Sequence, residues 1–192
     1  MPTVALLLGY LLGSIPFGLV LTRLAGVGDI RQVGSGNIGA TNVLRTGRKG
    51  LAAATLLLDA AKGALAVWLI AHWSPDDASL AAAGAFLGHC YPLWLRFRGG
   101  KGVATLMGIV LALYWPLGLI YAAVWLVLLA ASRISSLAGM AAAVTAPIAA
   151  AGFGRYDLVL LLLALALIVL WKHGANIERL MTGTEPRVSS HG

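Results

Sequence analysis

The chain has 192 residues and a net charge of +7, and 59% of its residues are hydrophobic while 11% are charged. Its mean hydropathy of +0.87 excludes a soluble domain, because a fold of this size cannot bury so much apolar surface. The apolar runs are continuous, without the alternation of a membrane barrel. The sequence therefore predicts an all-α integral membrane protein. We expect its basic residues to mark the cytoplasmic ends of spans, with no role in binding nucleic acid.

Seven apolar runs follow one another along the chain, and we predict a bundle of about seven transmembrane helices. The runs cover residues 4–25, 50–73, 78–95, 103–115, 117–131, 137–152 and 157–171. The last four are shorter than the ~20 residues that a full crossing prefers. The alternative is five or six spans, with 103–131 forming one helix bent at Pro116. No linker or repeat interrupts the chain, which predicts a single domain over residues 1–192.

Basic residues outside the runs lie on alternate connections. The connections after the first, third, fifth and seventh runs carry nearly all of them, whereas the intervening connections carry only Arg155. The positive-inside rule then predicts that the N-terminus is outside and the C-terminus is cytoplasmic. Four polar segments fall on the cytoplasmic connections, so we expect them to converge on one site that faces the cytoplasm.

The first polar segment, GSGNIGATNVLR, follows the first run and is rich in glycine. Gly34 and Gly36 permit turns that direct backbone N–H groups at one point, an arrangement that binds phosphate. Asn37 adds a side-chain donor, and Arg45 adds a charge whose fork matches phosphate oxygens. A flexible turn, with Arg45 as an orientation anchor, is the alternative.

Two charged residues, Asp59 and Lys62, lie inside the second run. Charges inside a span are costly unless they are paired or functional. The spacing of three positions permits an ion pair on one helix face. We expect a structural pair that faces the bundle interior or supports the site.

The second polar segment, RFRGGKGVAT, is similar to a phosphate loop at the start of a helix. It contains three glycines and a lysine: Gly99, Gly100, Lys101 and Gly102. The spacing of a nucleotide-binding Walker loop and its preceding strand are missing. Lys101 can still supply a charge for phosphate, and a basic cytoplasmic loop is the alternative. Just upstream, His89 is a weaker candidate for the wall of the site, and the lone Cys90 permits neither an internal disulfide nor a cysteine zinc cluster.

The last two polar segments are SRISS and KHGANIERLMTGTE. Ser135 and Ser136 stand where the sixth run begins, and a serine there most often caps a helix, with ligand contact as the alternative. His173 and Asn176 are three positions apart and can share a helix face at the membrane surface. A histidine there is more often an anchor than a catalyst. Glu185 is expected to pair with a basic residue and hold the tail in place.

Together, the segments GSGNIGATNVLR, GHCYPLWLRFRGGKGVAT, SRISSLAG and HGANIERLMTGTE resemble the acyl-phosphate-dependent glycerol-3-phosphate acyltransferase family of bacterial membranes. The resemblance implies seven spans in the inner membrane and a cytoplasmic active site. It implies transfer of a fatty acyl group from acyl phosphate to the 1-hydroxyl of glycerol 3-phosphate, giving lysophosphatidic acid and phosphate. The resemblance implies no acyl-CoA, cofactor or metal. It does imply a functional link to the enzyme that produces acyl phosphate.

An H-x-x-x-x-D pattern at His72 and Asp77 is typical of soluble-donor acyltransferases. It lies in a turn that we expect outside the membrane, and we interpret it as a coincidence.

The resemblance and the residues together give the predicted site. The predicted catalytic residues are Ser35, His173 and Asn176. The predicted phosphate-binding residues are Gly34, Gly36, Asn37, Arg45, Gly99, Gly100, Lys101, Gly102 and Ser136. The predicted supporting residues are Asp59, Lys62 and Glu185. Arg187 stands where relatives often have a lysine, which keeps the charge.

Acyl phosphate is an activated donor, so positioning and charge stabilisation are expected to supply most of the catalysis. His173, with Asn176 orienting it or the substrate, is one base for the acceptor hydroxyl. The departing phosphate is the other, and an acyl-enzyme on Ser35 is a third route. The alternative from another class is a membrane transporter of a small phosphorylated anion. Against it, the polar groups lie at one membrane face and no inverted repeat is found.

Overall fold

The computed structural model describes residues 1–188, and within them the chain forms ten α-helices. These are α1 (Pro2–Gly13), α2 (Phe17–Leu24), α3 (Ala40–Leu44), α4 (Lys49–Trp73), α5 (Ala78–Cys90), α6 (Val103–Leu113), α7 (Trp115–Ser132), α8 (Ser135–Gly152), α9 (Tyr156–Lys172) and α10 (Gly174–Met181). Short 3₁₀ turns lie at Ile30–Gln32, Pro75–Asp77 and Leu93–Leu95. The prediction of an all-α protein is confirmed for the part of the chain that is described.

Four helical stretches are long and apolar enough to cross a membrane. They are Pro2–Leu24, which combines α1 and α2, and the helices α4, α7 and α8. The pair of α9 and α10, bent by 62°, is a fifth stretch if it counts as one span. Helix α6 is apolar but has only 11 residues. Each of the seven predicted runs contains a helix, while the number of membrane crossings stays a prediction.

Prolines explain two breaks between helices. The first run is interrupted between Gly13 and Phe17, because Pro16 has no N–H and disfavours a helical conformation for the preceding residue. Helices α6 and α7 are separated by Tyr114, whose backbone is extended. Pro116 lies in the first turn of α7, where its missing N–H is not needed. The alternative of one bent helix over 103–131 is therefore wrong.

The chain divides into two compact units, and the first covers residues 1–113. Helix α4 is its centre and contacts α1, α2, α3, α5 and α6. Helix α1 packs on α5 through small residues. A Cβ at Gly13 would overlap the backbone of Ala85, and a Cβ at Gly84 would overlap the backbone of Leu6. This close approach is typical of membrane helices, whose association depends on tight van der Waals contact.

The second unit begins at residue 114. Helix α8 packs against both α7 and α9. A row of buried alanines lines α8: Ala138, Ala142, Ala143, Ala146 and Ala150. Helix α9 contributes larger side chains, with Leu158, Leu162 and Val169 buried. Helix α8 thus has a buried row of small residues, and the neighbouring helix α9 has larger buried side chains.

Candidate functional site

The predicted site residues are described unit by unit. In the first unit, two polar loops, residues 34–45 and 99–102, are here together called the loop cluster, and the pair of Asp59 and Lys62 lies apart from them inside α4. In the second unit, the group here called the Glu185 cluster consists of Ser136, His173, Asn176, Arg179 and Glu185.

Asn42 organises the first loop of the loop cluster. Its side chain is buried, with the residue 1% exposed. The Asn42 amide donates to the backbone oxygens of Ile30, Val33 and Asn37 at 2.8 to 2.9 Å. Its carbonyl oxygen accepts from the backbone N–H of Ser35 at 3.0 Å. The side chain of Asn42 therefore forms hydrogen bonds with four backbone groups of the turn that precedes it.

The backbone amides of this loop mainly serve the loop itself. Gly34 and Gly36 both have positive φ, at 56° and 69°, which glycine adopts without strain. The N–H of Gly36 donates to Val33 O at 3.0 Å, and the N–H of Ser35 is taken by Asn42. The N–H groups of Ser35 and Gly36 are thus used inside the loop. The phosphate-binding role predicted for Gly34 and Gly36 stays a prediction.

Arg45 lies across the glycine turn. A Cβ at Gly34 would be 2.8 Å from Cδ of Arg45 and 3.7 Å from its Nε. Arg45 and Ser35 are both exposed. The side chain of Asn37 is partly committed, because its oxygen accepts from the N–H of Ile38 at 3.0 Å. An exposed cation therefore lies against the turn that also carries the exposed Ser35, and both are groups that can bind phosphate.

The second loop of the cluster, residues 99–102, is seated on the end of α5. The N–H of Gly99 donates to Cys90 O at 3.2 Å, and the N–H of Gly100 donates to His89 O at 3.0 Å. These two glycines were expected to present their amides to phosphate, but the amides hold the loop on α5. Gly102 has φ of 86°, and a Cβ there would overlap the ring of Phe86. The glycines are needed for close approach to α5, which leaves Lys101 as the loop's charged group.

A hydrophobic group lies beneath the first loop. Ile30, Ile38 and Val43 are buried together there, and Leu95, in the segment that leads to the second loop, packs against the same group. A Cβ at Gly18 of α2 would overlap the backbone oxygen of Ile38. The first loop is therefore fixed by packing from α2 and from the segment before the second loop.

The ion pair predicted inside α4 is present. Nζ of Lys62 lies 2.6 Å from Oδ1 of Asp59, and both side chains are nearly fully buried. Nζ of Lys62 also donates to the backbone oxygen of Ile15 at 2.7 Å. Nδ1 of His89 lies 3.7 Å from Oδ1 of Asp59. The pair connects the break after α1 with the end of α5 that carries the second loop.

In the second unit, the carboxylate of Glu185 accepts hydrogen bonds from three side chains. Its Oε1 accepts from Ser136 Oγ and from Asn176 Nδ2, both at 2.6 Å, and its Oε2 pairs with Nε of Arg179 at 2.7 Å. Burial raises the pKa of Glu185, but the hydrogen bonds from Ser136, Asn176 and Arg179 outweigh burial, so its pKa lies below the ordinary value. The N–H of Val188 donates to Arg133 O at 2.7 Å, which ties the tail to the connection before α8.

Ser136 does not cap α8. The helix begins at Ser135 and its N-cap is Ile134, while the Ser136 hydroxyl is used by Glu185. The capping role that serine most often has at this position is therefore not adopted by Ser136. The residue lies in the Glu185 cluster, where the phosphate-binding role predicted for it stays a prediction.

His173 lies at the bend between α9 and α10. It is 3% exposed, and its Nδ1 donates to Val169 O at 2.7 Å. A carbonyl only accepts, so Nδ1 carries the proton and Nε2 is the basic nitrogen of the neutral ring. The N–H of Asn176 donates to His173 O at 2.8 Å, which fixes the two residues in one turn. This geometry suits a histidine that accepts a proton at Nε2.

The two residues of the H-x-x-x-x-D pattern, His72 and Asp77, contact neighbouring residues of the first unit. Oδ2 of Asp77 lies 3.2 Å from the N-terminal amine of Met1 and accepts from Ser74 Oγ at 2.7 Å. The ring of His72 stacks on Trp68 with centroids 6.1 Å apart. These contacts give both residues a structural role, and the interpretation of the pattern as a coincidence stays a prediction.

Three residues that organise the two clusters were absent from the predicted site or ranked low in it. Asn42 is the hub of the first loop, and Arg179 is the cation that Glu185 binds. His89 supports the second loop from below. Asn42 lies seven residues beyond Ser35, and an asparagine directly after a glycine-rich turn was the signal that the sequence offered.

These features define an all-helical integral membrane protein whose polar loops suit phosphate-bearing molecules. A family model described as glycerol-3-phosphate acyltransferase matches residues 3–183. The chain belongs to this family of integral membrane acyltransferases of lipid biosynthesis.

Individual relatives agree with this assignment. A glycerol-3-phosphate acyltransferase of Erythrobacter litoralis is 58% identical over 189 residues, which are 98% of this chain and 96% of that protein. One of Mesorhizobium japonicum is 56% identical over 188 residues, again 98% and 96%.

Two solved structures are also similar. The crystal structure of PlsY (YgiH), an integral membrane glycerol 3-phosphate acyltransferase, in its glycerol 3-phosphate form has a TM-score of 0.93 and 35% identity, covering 98% of this chain and 96% of that chain. Its lysophosphatidic acid form has a TM-score of 0.90 and 33% identity over the same shares.

Proposed function

We propose that the protein transfers a fatty acyl group from acyl phosphate to the 1-hydroxyl of sn-glycerol 3-phosphate, giving lysophosphatidic acid and inorganic phosphate. The similar PlsY structures are a glycerol 3-phosphate form and a lysophosphatidic acid form, which supports this acceptor and this product. An acyl phosphate donor is already activated, so the reaction needs positioning and charge stabilisation and no cofactor. The proposal treats residues 1–192 as one acyltransferase domain.

The observation that carries the proposal is the arrangement at Gly34. Arg45 lies across this glycine, beside the exposed Ser35, on a turn that Asn42 holds at four points. Both proposed substrates carry a phosphate, so the enzyme needs two groups of cations and donors. Arg45 and Ser35 supply one, and Lys101 on the second loop supplies a cation for the other. We assign Lys101 to glycerol 3-phosphate.

In the proposed reaction, the acceptor hydroxyl oxygen attacks the acyl carbonyl carbon and forms the ester bond. The bond between the acyl carbon and the phosphate oxygen breaks, and phosphate leaves with the electron pair. The proton goes either to Nε2 of His173 or directly to the departing phosphate. With His173 as base, His173→Gln should lower kcat by about a hundredfold or more. If phosphate is the base, kcat should fall only a few-fold, in line with a lost hydrogen bond.

A groove in the first unit is proposed to hold the acyl chain. It has a volume of about 630 Å³ and is lined mainly by apolar side chains, including Leu12, Phe17, Leu58, Leu65 and Leu111, with Lys62 at its wall. Ala64→Phe should fill part of it. The variant should then favour a shorter acyl phosphate over palmitoyl phosphate, and an unchanged chain preference would place the acyl chain elsewhere.

We propose seven membrane crossings in the bacterial inner membrane, with the N-terminus outside and the site on the cytoplasmic face. The distribution of basic residues supports this topology. Single cysteines introduced at residues 35 and 178, in a Cys90→Ala background, should both react with an impermeant reagent only from the cytoplasmic side. Labelling from opposite sides would contradict the proposed topology.

The proposed activity is tested with purified protein in detergent. Palmitoyl phosphate and glycerol 3-phosphate should give lysophosphatidic acid, and palmitoyl-CoA should give none. A transporter of phosphorylated anions, the alternative class, gives no product without a sealed compartment. Direct transfer also predicts that no acyl group is found on Ser35 when the reaction is quenched. A labelled acyl group on Ser35 would instead indicate a two-step mechanism through an acyl-enzyme.

A further inference from the structure

We propose that His89 is a positioning residue for the glycine loop 99–102, and that the buried pair of Asp59 and Lys62 holds His89 in that role. The inference deepens the proposed function and rests on it, because glycerol 3-phosphate is taken as the ligand of this loop.

His89 contacts the loop in two ways. Its backbone oxygen accepts from the N–H of Gly100 at 3.0 Å. Its imidazole lies directly under the same residue, since a Cβ at Gly100 would overlap Nε2 and Cε1 of the ring. A Cβ at Gly99 would overlap the backbone oxygen of His89. The ring therefore sets the height of the loop above α5, and the backbone bond sets its register.

His89 is itself held from below. The residue is 4% exposed, and its Nδ1 lies 3.7 Å from Oδ1 of Asp59, which is close packing but too long for a direct hydrogen bond. Asp59 is paired with Lys62 at 2.6 Å. Lys62 is anchored in turn by Ile15 O at 2.7 Å, at the break between α1 and α2. The side chains form a continuous support from that break to Gly100.

Burying an ion pair costs desolvation free energy that apolar side chains in the same space would not cost. Replacing such a pair with apolar side chains of similar volume is often neutral or stabilising, and charges inside a span commonly mark function. Stability alone therefore does not account for Asp59 and Lys62. Holding an imidazole in a defined place beneath a substrate loop does account for them.

The loop also needs support because of the strained residues before it. Arg96 and Phe97 both have positive φ, at 52° and 61°. Two consecutive non-glycine residues in this region persist only where the surroundings impose the conformation. After this strained pair, the N–H of Arg98 turns back to Leu95 O, and the contacts of residues 99 and 100 with His89 and Cys90 then attach the chain to α5. Losing them should displace Lys101, the charged group of the loop.

The first test is the variant His89→Ala. Without the ring, the loop should settle and Lys101 should move, so the KM for glycerol 3-phosphate is expected to rise about tenfold to a hundredfold. The KM for acyl phosphate and kcat should change much less. Calorimetric titration with glycerol 3-phosphate should show the same loss of affinity without turnover. His72→Ala removes an exposed histidine of the same unit as the matched control.

The second test asks for reciprocal rescue. Gly100→Ala places a methyl group where the imidazole lies, so this variant alone should also bind glycerol 3-phosphate poorly. In the double variant His89→Ala with Gly100→Ala, the new methyl group occupies the space that the ring has left. Its affinity for glycerol 3-phosphate should exceed that of either single variant, an interaction that a double-mutant cycle measures.

The third test removes the support without leaving a lone buried charge. The double variant Asp59→Asn with Lys62→Gln should raise the KM for glycerol 3-phosphate less than His89→Ala does, and the two effects should not add. Equal increases of both KM values in His89→Ala, or no rescue in the Gly100 double variant, would overturn the positioning role. If the wild-type protein binds glycerol 3-phosphate but forms no product, the proposed function fails while the calorimetric test of His89 still stands.

Discussion

The loop cluster and the Glu185 cluster are built on different plans. In the loop cluster, backbone amides of residues 35, 36, 99 and 100 are used inside the protein, by Asn42, Val33, Cys90 and His89. In the Glu185 cluster, three side chains converge on one carboxylate. The loop cluster thus consists of turns held by their own backbone amides, which carry the cations Arg45 and Lys101 and the hydroxyl of Ser35. The Glu185 cluster holds a histidine and an asparagine at a helix bend.

The difference teaches where each cluster should be sensitive to mutation. A turn held by backbone contacts should lose its ligand geometry when a hub or a close-approach glycine changes. A cluster held by a carboxylate should respond to charge and pH. The following variants test this contrast, beginning with the largest expected effect.

Arg45→Ala should have the largest effect, because it removes the cation beside Ser35. We expect kcat/KM to fall about a hundredfold or more, as for other groups that stabilise charge in a reaction. Arg45→Lys should restore little, since an ammonium does not reproduce the two-pronged guanidinium contact. Steady-state kinetics with both substrates measure the effect. Arg48→Ala removes an exposed arginine three residues further along the chain; it is the control and should stay near wild type.

Asn42→Ala should come next, because four hydrogen bonds of the first loop depend on this side chain. We expect kcat/KM to fall about tenfold to a hundredfold through misplaced Ser35. Asn42→Asp should be no better than Ala, since a carboxylate would face three backbone oxygens. An active Asn42→Asp variant would show that the loop does not rely on the amide donors.

Glu185→Gln should give a smaller, pH-dependent effect on stability. Hydrogen bonds lower the pKa of Glu185 below its ordinary value of 4.5, so the carboxylate contributes stability above that pH. This contribution is lost as the pH falls through the lowered pKa and the carboxylate is protonated. The melting temperature of Glu185→Gln should therefore lie below that of wild type at neutral pH.

The two melting curves should converge at a pH below the lowered pKa, where wild-type Glu185 is also neutral. A constant difference in melting temperature across this range would show that Glu185 acts by packing and not by charge. Thermal unfolding in detergent, followed by circular dichroism from neutral to acidic pH, makes the comparison.

Asp77→Ala should have the smallest effect, because it lies outside both clusters. It removes contacts with the amine of Met1 and the hydroxyl of Ser74, and exposed ion pairs contribute little. Activity should stay at the wild-type level, with at most a small drop in melting temperature. Loss of activity with an intact fold would contradict the placement of the catalytic groups in the two clusters.

Much of the helical architecture could be predicted from the sequence, because apolar runs in a membrane protein have one regular solution. The ion pair of Asp59 and Lys62 was also predictable, since both partners lie on one helix at a fixed spacing. The direction of the loop amides was not. Ser35 and Gly100 donate to partners that only the folded chain brings close, namely Asn42 and His89. Composition indicates a glycine turn but not which way its N–H groups point.

The seam between α1 and α5 has a consequence for how this protein tolerates change. Gly9 and Gly13 on one helix, and Gly84 and Gly88 on the other, each touch the opposing backbone. In a randomised library selected for growth, these positions should remain glycine at an interval of four residues. Gly50 and Gly174, which have open space around them, should accept many replacements. Glycines with no predicted role in binding or catalysis would then rank among the least replaceable in the chain.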